Sequence, residues 1–312
     1  MVSISFSMNA TPLPQELEVV GPWLQLYRAK IPGATLQARV DWLKRKADQA
    51  RQLHIPGFIA HGFTSEMTPE VYTEFQNVCA QRGLLCGAAW GLNTQDPVGK
   101  GQRIGAIARL RGSDGRRLAT LNVFDMEGAF DQDETGGKGE LMFRTYEDVA
   151  GTGTLVCDQP WFAPSGHGNF PWKSTDEHVV VRCPQVYVND FTGQFGDQRY
   201  ERVMAWHLRE WAALEARMAK ESLPARARIP TIQGYGWRLA DLVTCLVTYP
   251  STMMWCEPWP EVLTITGIQA RNALAAHGFT GLRAVWNFQA SAKLSVDGQV
   301  GPMTLKALGV TG

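Results

Sequence analysis

Two carboxylates, Asp125 and Glu127, stand two residues apart in the string VFDMEG at 123–128. Leu121 and Val123 precede them at the same alternation, so the pair reads as the end of a strand whose inward face begins apolar and finishes acidic. Apolar burial and a second carboxylate nearby raise one pKa and leave the other group ionised. A protonated acid beside an ionised partner is what cleavage of a glycosidic bond requires. Polar and aromatic residues close the other apolar runs: His61, then Trp90, then Asp158, Gln159 and Trp161, then Tyr187 and Asn189, then Gln233 and Tyr235, then Trp255 and Glu257. Indoles and phenols stack on the apolar faces of sugars, and amides and carboxylates meet their hydroxyls. These residues are the expected substrate contacts, with Asp125 and Glu127 as the expected catalytic pair.

Positioning such residues on one rim requires a particular scaffold. Eight short apolar runs, at 23–29, 57–63, 85–92, 119–127, 154–162, 179–190, 228–237 and 252–259, alternate with amphipathic stretches. The clearest helix patterns are LQARVDWLKRKADQARQLH, TPEVYTEFQNVCAQRG and YERVMAWHLREWAALEARMAKE; Thr68 is placed as an N-cap, with Pro69 at the first helical position. Eight strands with helical crossovers over about 240 residues predict a (β/α)8 TIM-type barrel, whose chemistry sits at the strands' C-terminal ends. The stretch APSGHGNFPWKSTDEH carries no clear helix and reads as a long loop on that face. A doubly wound open sheet is the alternative, but no strand is followed by a Gly-rich phosphate turn.

The bulk properties narrow the function classes. The chain has 312 residues, 45% of them hydrophobic and 19% charged, enough for a large core plus a small module. Thirty Lys+Arg balance thirty Asp+Glu, so no basic field points to nucleic acid. No run of apolar residues is long enough to span a membrane, and the N-terminus lacks the pattern of a signal peptide. Six cysteines lie far apart without a C-x-x-C pair, as buried thiols would in a reducing compartment, and the six histidines show no metal-binding spacing. Neither a metal nor a cofactor is expected.

From residue 262 the pattern changes to three short helices, giving an expected division into a barrel at 1–261 and a three-helix module at 262–312. The stretch AVWNFQASAKLSVDGQVGPMTLKALG at 284–309 resembles the peptidoglycan-binding domain of bacterial and phage wall hydrolases. The likeness rests on Ala284, Val285, Phe288 and Gln289, on Leu294, on the V-D-G-x-V-G-P-x-T string at 296–304, and on Ala307 and Leu308. That family's earlier D-G turn is missing, since HGFTGLRAV runs directly between the first two helices. VFDMEG in turn resembles the D-x-E that ends the fourth strand of lysozyme-type barrels of glycoside hydrolase family 25. That resemblance implies Glu127 as proton donor to the leaving oxygen, with Asp125 orienting the acetamido group or stabilising the anomeric charge. The family's first strand ends in Asp, where this chain has Tyr27 and Arg28, leaving a third acid open among Asp158, Asp190 and Glu257.

Together the resemblances imply a phage-type endolysin: a monomeric muramidase or glucosaminidase whose partner is bacterial peptidoglycan, accumulating in the host cytoplasm until it reaches the wall. Two alternatives stay open. One is a non-catalytic wall-binding or virion structural protein that keeps the barrel as a scaffold. The other is a wall amidase, which would need a zinc set or a Cys–His pair built around Cys157 or Cys256.

Overall fold

The computed structural model describes residues 14, 17, 21–112, 115, 117–126, 130, 133, 136–151, 155–160, 163–166 and 170–311. Two expected site residues, Glu127 and Trp161, lie outside the described residues. Strands and helices alternate from the start: β1 Gly21–Tyr27, α1 Leu36–Gln52, β2 Gly57–Phe63, α2 Pro69–Ala80, β3 Leu85–Gly91, α3 Pro97–Ala108, β4 Leu121–Asp125 and α4 Gly137–Ala150. There follow β5 Leu155–Asp158, α5 Trp172–Asp176, β6 Val181–Arg182, α6 Thr192–Phe195, α7 Arg199–Lys220, β7 Ala227–Arg228, β8 Thr231–Gln233, α8 Leu239–Thr248 and β9 Ser251–Cys256. The last helices are α9 Val262–Ala276, α10 Ala284–Ser291 and α11 Pro302–Ala307.

All the strand pairings are parallel, in the order β7-β6-β5-β4-β3-β2-β1-β9-β8. The two edges of this sheet, β7 and β8, are successive pieces of one strand interrupted at Ile229 and Pro230, where proline has no N–H to give the ladder. Past the break, Gln185 bridges Thr231, and Val186 N–H donates to the Thr231 carbonyl at 2.7 Å. The extension of β6 thus meets β8 and the sheet curls shut, a TIM-type barrel of eight strand positions. Strand six is shorter than its apolar run: only Val181–Arg182 is regular, and residues 188–191 already form a 3-10 turn.

Side-chain alternation sorts the barrel into two cores. Trp23, Ile59, Ala89, Leu121, Val123, Cys157, Val181, Cys183, Ala227, Ile229 and Met253 fill the interior, with Leu17 packed among them. The opposite parity, including Leu24, Leu26, Phe58, Ala60, Ala88, Trp90, Phe124 and Met254, faces the helices. The helices sit as their sequences dictate. Thr68 caps α2 by accepting from Val71 N–H at 3.4 Å, with Pro69 at the first position. α3 lies tightly on α4 because Gly101 and Gly105 carry no side chain: a Cβ on Gly101 would stand 2.5 Å from the Met142 carbonyl oxygen. Among the described residues, the fifth crossover holds a 3-10 turn and the five-residue α5, both within the stretch that reads in sequence as a long loop.

α9 follows the last strand in the position of the barrel's eighth helix. Ile268 joins the core between sheet and helices, while Ala270 and Leu274 pack with α10, α11 and the outer face of α8 through Val243 and Val247. The boundary expected at 261/262 therefore falls at the start of a helix shared by both parts. In the tail, the motif residues bind one another. The Gln289 amide donates to Asp297 Oδ1 at 2.8 Å and to the Gln299 carbonyl at 3.0 Å, and its oxygen accepts from Gly298 N–H at 2.9 Å. Gly298 has φ +73°, and the Trp286 indole covers it so closely that a Cβ would collide at 2.4 Å. Among the described residues, no helix is long and apolar enough to cross a membrane.

Candidate active site at the C-terminal end of the barrel

The inward parity that is apolar low in the barrel turns polar at its C-terminal rim. Tyr27 follows Trp23 and Gln25 on β1, His61 follows Ile59 on β2, and Asp125 follows Val123 on β4. Gln159, Gln185 and Gln233 occupy the same parity on the next three strand positions, with Trp255 and Glu257 on the last. Asp125 is the centre of this layer. Its side chain is 20% exposed, Gln185 Nε2 donates to its Oδ1 at 2.8 Å, and His61 Nε2 lies 3.4 Å from its Oδ2. Both oxygens are thus oriented by neighbours on other strands.

A floor of amides lies beneath. Gln25 and Gln159 exchange hydrogen bonds at 3.4 and 3.3 Å across the barrel, and Gln185 also donates to the Gln159 carbonyl at 3.1 Å. These buried amides largely satisfy one another, as burial demands. Gln185 and Gln25 were not among the expected site residues. Counting parity forward from Cys183 would have found Gln185, but Pro184 obscures the strand there. The His61 ring also meets Tyr27 edge-on, with centroids 5.5 Å apart.

One wall is aromatic. Trp255 contacts Tyr187 at 6.3 Å and Tyr235 at 6.2 Å between ring centroids, and Tyr235 is 39% exposed. Carboxylates surround it. Burial pushes the Tyr235 phenol up from its ordinary pKa, helped by Asp190 and Glu257; burial likewise raises Tyr27, helped by Glu66 and Glu257. Glu257 therefore acts on both tyrosines, and Glu66 joins the rim by accepting from Phe63 N–H at 3.1 Å. Glu66 is a further group that strand-end reading did not select, since it stands in the turn after β2, whereas Asp190, one of the candidates for a third acid, lies in the 3-10 turn after β6. The rim as a whole presents carboxylates, phenols, an imidazole and an indole at one end of the barrel.

Several expected contacts are placed elsewhere or are already engaged. Trp90 has the opposite parity to Ala89. It is fully buried against the helices, and its indole N–H donates to Asn122 Oδ1 at 3.2 Å. Asp158 has the opposite parity to Cys157 and Gln159 and pairs, fully buried, with Arg182, which also donates to Asp176 Oδ1 at 2.9 Å. Neither Trp90 nor Asp158 reaches the interior rim; a run read without fixed parity put them there. Burial pushes the Asp158 carboxyl up to about 6, against the pull of Arg182. Gln233 is spent on the loop after β6: its oxygen accepts from Asn189 N–H at 3.1 Å and its amide donates to Asp190 Oδ1 at 2.9 Å. Asn189 in turn donates to the Tyr235 carbonyl, so these two residues hold Tyr235 and Asp190 in position.

The six cysteines are all buried, and burial pushes Cys256 and Cys183 well above the usual thiol range. A buried, protonated thiol is not a nucleophile, which removes the basis for a cysteine amidase built on Cys256.

No family model and no curated protein matches the chain. Among solved structures, the PgaB (BpsB) glycoside hydrolase domain from Bordetella bronchiseptica is similar over 76% of this chain and 94% of its own length, at 9% identity and a TM-score of 0.50. A glucosidase from Croceicoccus marinus is similar at 9% identity and a TM-score of 0.47, over 74% of this chain and 63% of that one. PhdJ, solved bound to a substrate intermediate, is similar at 11% identity and a TM-score of 0.42, over 90% of this chain and 80% of its own. At such identities the likeness is one of fold alone.

Proposed function

We propose that this protein is a glycan-cleaving hydrolase acting on bacterial peptidoglycan, with its chemistry at the C-terminal end of β4. The observation that carries this reading is Asp125: an inward carboxylate oriented at one oxygen by Gln185 and at the other by His61, facing a rim of tyrosines, Trp255 and further carboxylates. A glycoside hydrolase domain of the same fold, PgaB, adds support, as does the D-x-E string that Asp125 opens. The phenols and indole supply stacking faces for a sugar ring. Asp125 stabilises positive charge at the anomeric carbon or orients an acetamido oxygen, and Glu127, two residues on, donates the proton to the leaving oxygen. The wall-specific part of the reading draws on the C-terminal helices, whose motif order is that of peptidoglycan-binding domains. In this reading the chain works as a monomer and meets its substrate only after leaving the host cytoplasm.

The test is release of fragments from purified Gram-negative and Gram-positive peptidoglycan, with new reducing ends and new amino groups measured separately. Wild-type release with new reducing ends, abolished by Glu127→Gln, is the expected result. New amino groups with intact glycan strands would replace the proposal with amide chemistry. Binding without release, equal in wild type and variant, would leave a wall-binding barrel.

A further inference from the structure

A second cluster with its own chemistry lies outside the barrel, away from the rim. Glu140 stands in the first turn of α4, and Glu177 and His178 in the turn that follows α5; one donor atom from each lies within 4.8 Å of the others. We propose that Glu140, Glu177 and His178 form a binding site for a divalent transition-metal ion of the zinc type.

The histidine carries the argument. Its ring stacks flat on Phe143, with centroids 5.0 Å apart and planes 9° apart, so its orientation is fixed. Nδ1 lies 2.8 Å from Glu147 Oε1, and a carboxylate there takes the Nδ1–H. That assignment leaves a lone pair on Nε2, aimed at Glu140 Oε2 only 3.1 Å away. Two lone pairs do not face each other at that distance unless a positive charge stands between them. Two ligand atoms bound to one ion at about 2.0–2.2 Å stand about 2.8–3.6 Å apart for angles between about 90° and the tetrahedral value, a range that contains the observed gap. Glu147 then plays the part of the outer carboxylate that fixes the tautomer of a metal-bound histidine.

The surroundings suit an ion. Glu140 and Glu177 both line a cavity of about 690 Å³ between α4, α5 and α7, which gives an ion a way in and leaves room for water to complete its shell. Arg144 holds Glu140 through Oε1, on the oxygen that does not face His178. One imidazole nitrogen with two carboxylate oxygens favours zinc and its neighbours over magnesium or calcium, which take oxygen alone. A bound ion would tie α4 to the reduced fifth crossover, the part of the barrel with least helix to hold it.

A second proton on Nε2, making His178 an imidazolium between two glutamates, is the competing occupant, and the experiment separates them. Chelator-treated full-length protein is titrated with Zn²⁺ by calorimetry and with Co²⁺ by visible absorption. The expected results are one site per chain, a cobalt band of the kind given by nitrogen and oxygen ligands, and a rise in Tm with Zn²⁺. Glu147→Gln should weaken binding by about 10–100-fold. Glu177→Gln changes a solvent-exposed side chain and keeps the Glu140–His178–Glu147 contacts, so it should fold normally and still weaken binding at least as much. No heat and no cobalt band in wild type would overturn the proposal. Binding that survives unchanged in both Glu177→Gln and His178→Ala would overturn it equally, since the ion would then sit on other residues.

Discussion

Asp125 owes its place in the site to neighbours that come from strands far away in sequence. Gln185 and His61 fix its two oxygens, and hydrogen bonds to a charged group contribute about 1.5–3 kcal/mol each. If Asp125 works directly on the sugar, Asp125→Asn should lower kcat on wall glycan by about 10²–10⁴-fold, measured by reducing ends. Gln185→Leu removes the donor to Asp125 together with the bond to the Gln159 carbonyl, and turnover should fall by about 10–100-fold while Asp125 remains. Equal losses in the two variants would mean that Gln185 holds up the rim rather than aims the carboxylate. Tyr235→Phe keeps the ring against Trp255 and should leave binding of glycan fragments nearly unchanged, whereas Tyr235→Ala should weaken it.

At the scale of elements, the weakest crossover is held by charge. Arg182, on the two-residue β6, reaches the carboxylates of Asp158 on β5 and Asp176 on α5, and Arg226 also meets Asp176. Removing one partner of a buried ion pair leaves an uncompensated charge, so Arg182→Met should cost about 3–5 kcal/mol in denaturant unfolding. α8 carries a different signature. Burial pushes Asp241, in its first turn, up to about 6, against the pull of Arg238 and with Glu201 adding to the rise. A carboxyl whose pKa is higher when folded favours the fold below its unfolded value near 3.8, and that contribution is lost as pH rises through about 6. Asp241→Asn should therefore raise Tm at pH 7–8 and give no gain below pH 4, by a scan of Tm against pH. A gain that did not change with pH would assign the effect to packing.

At the scale of the whole molecule, the tail is part of the barrel's wall. Val243 and Val247 of α8 pack with Ala270 and Leu274 of α9 and with Ala284, Val285 and Phe288 of α10. Heating should produce one cooperative transition by calorimetry, and two separated transitions would show that the parts fold independently. Ending the chain after residue 276 would expose Val243, Val247 and Leu274 together, and such a truncation should lower Tm and promote aggregation. The expected three-helix module is therefore packed on the barrel, and its motif residues Gln289, Asp297 and Gly298 bind one another inside the turn.

Much of this molecule could be read from periodicity alone. The eight apolar runs gave the barrel, and Thr68 and Pro69 marked the start of α2, because local spacing and capping act over a few residues. Parity along VFDMEG put Asp125 on the inward face, because Leu121 and Val123 before it are apolar. What local spacing could not decide is where each run changes from strand to loop, and a one-residue shift reverses the facing of every side chain. Trp90 and Asp158 were assigned to the rim for that reason and lie among the helices instead. Tertiary structure also decided which polar groups remain for a ligand. Gln233 and Asn189 are consumed in bracing Tyr235 and Asp190, while Gln185 meets Asp125 across sixty residues of chain. Such partnerships depend on closure of the sheet, which brings the ends of distant strands to one rim and which no local pattern specifies.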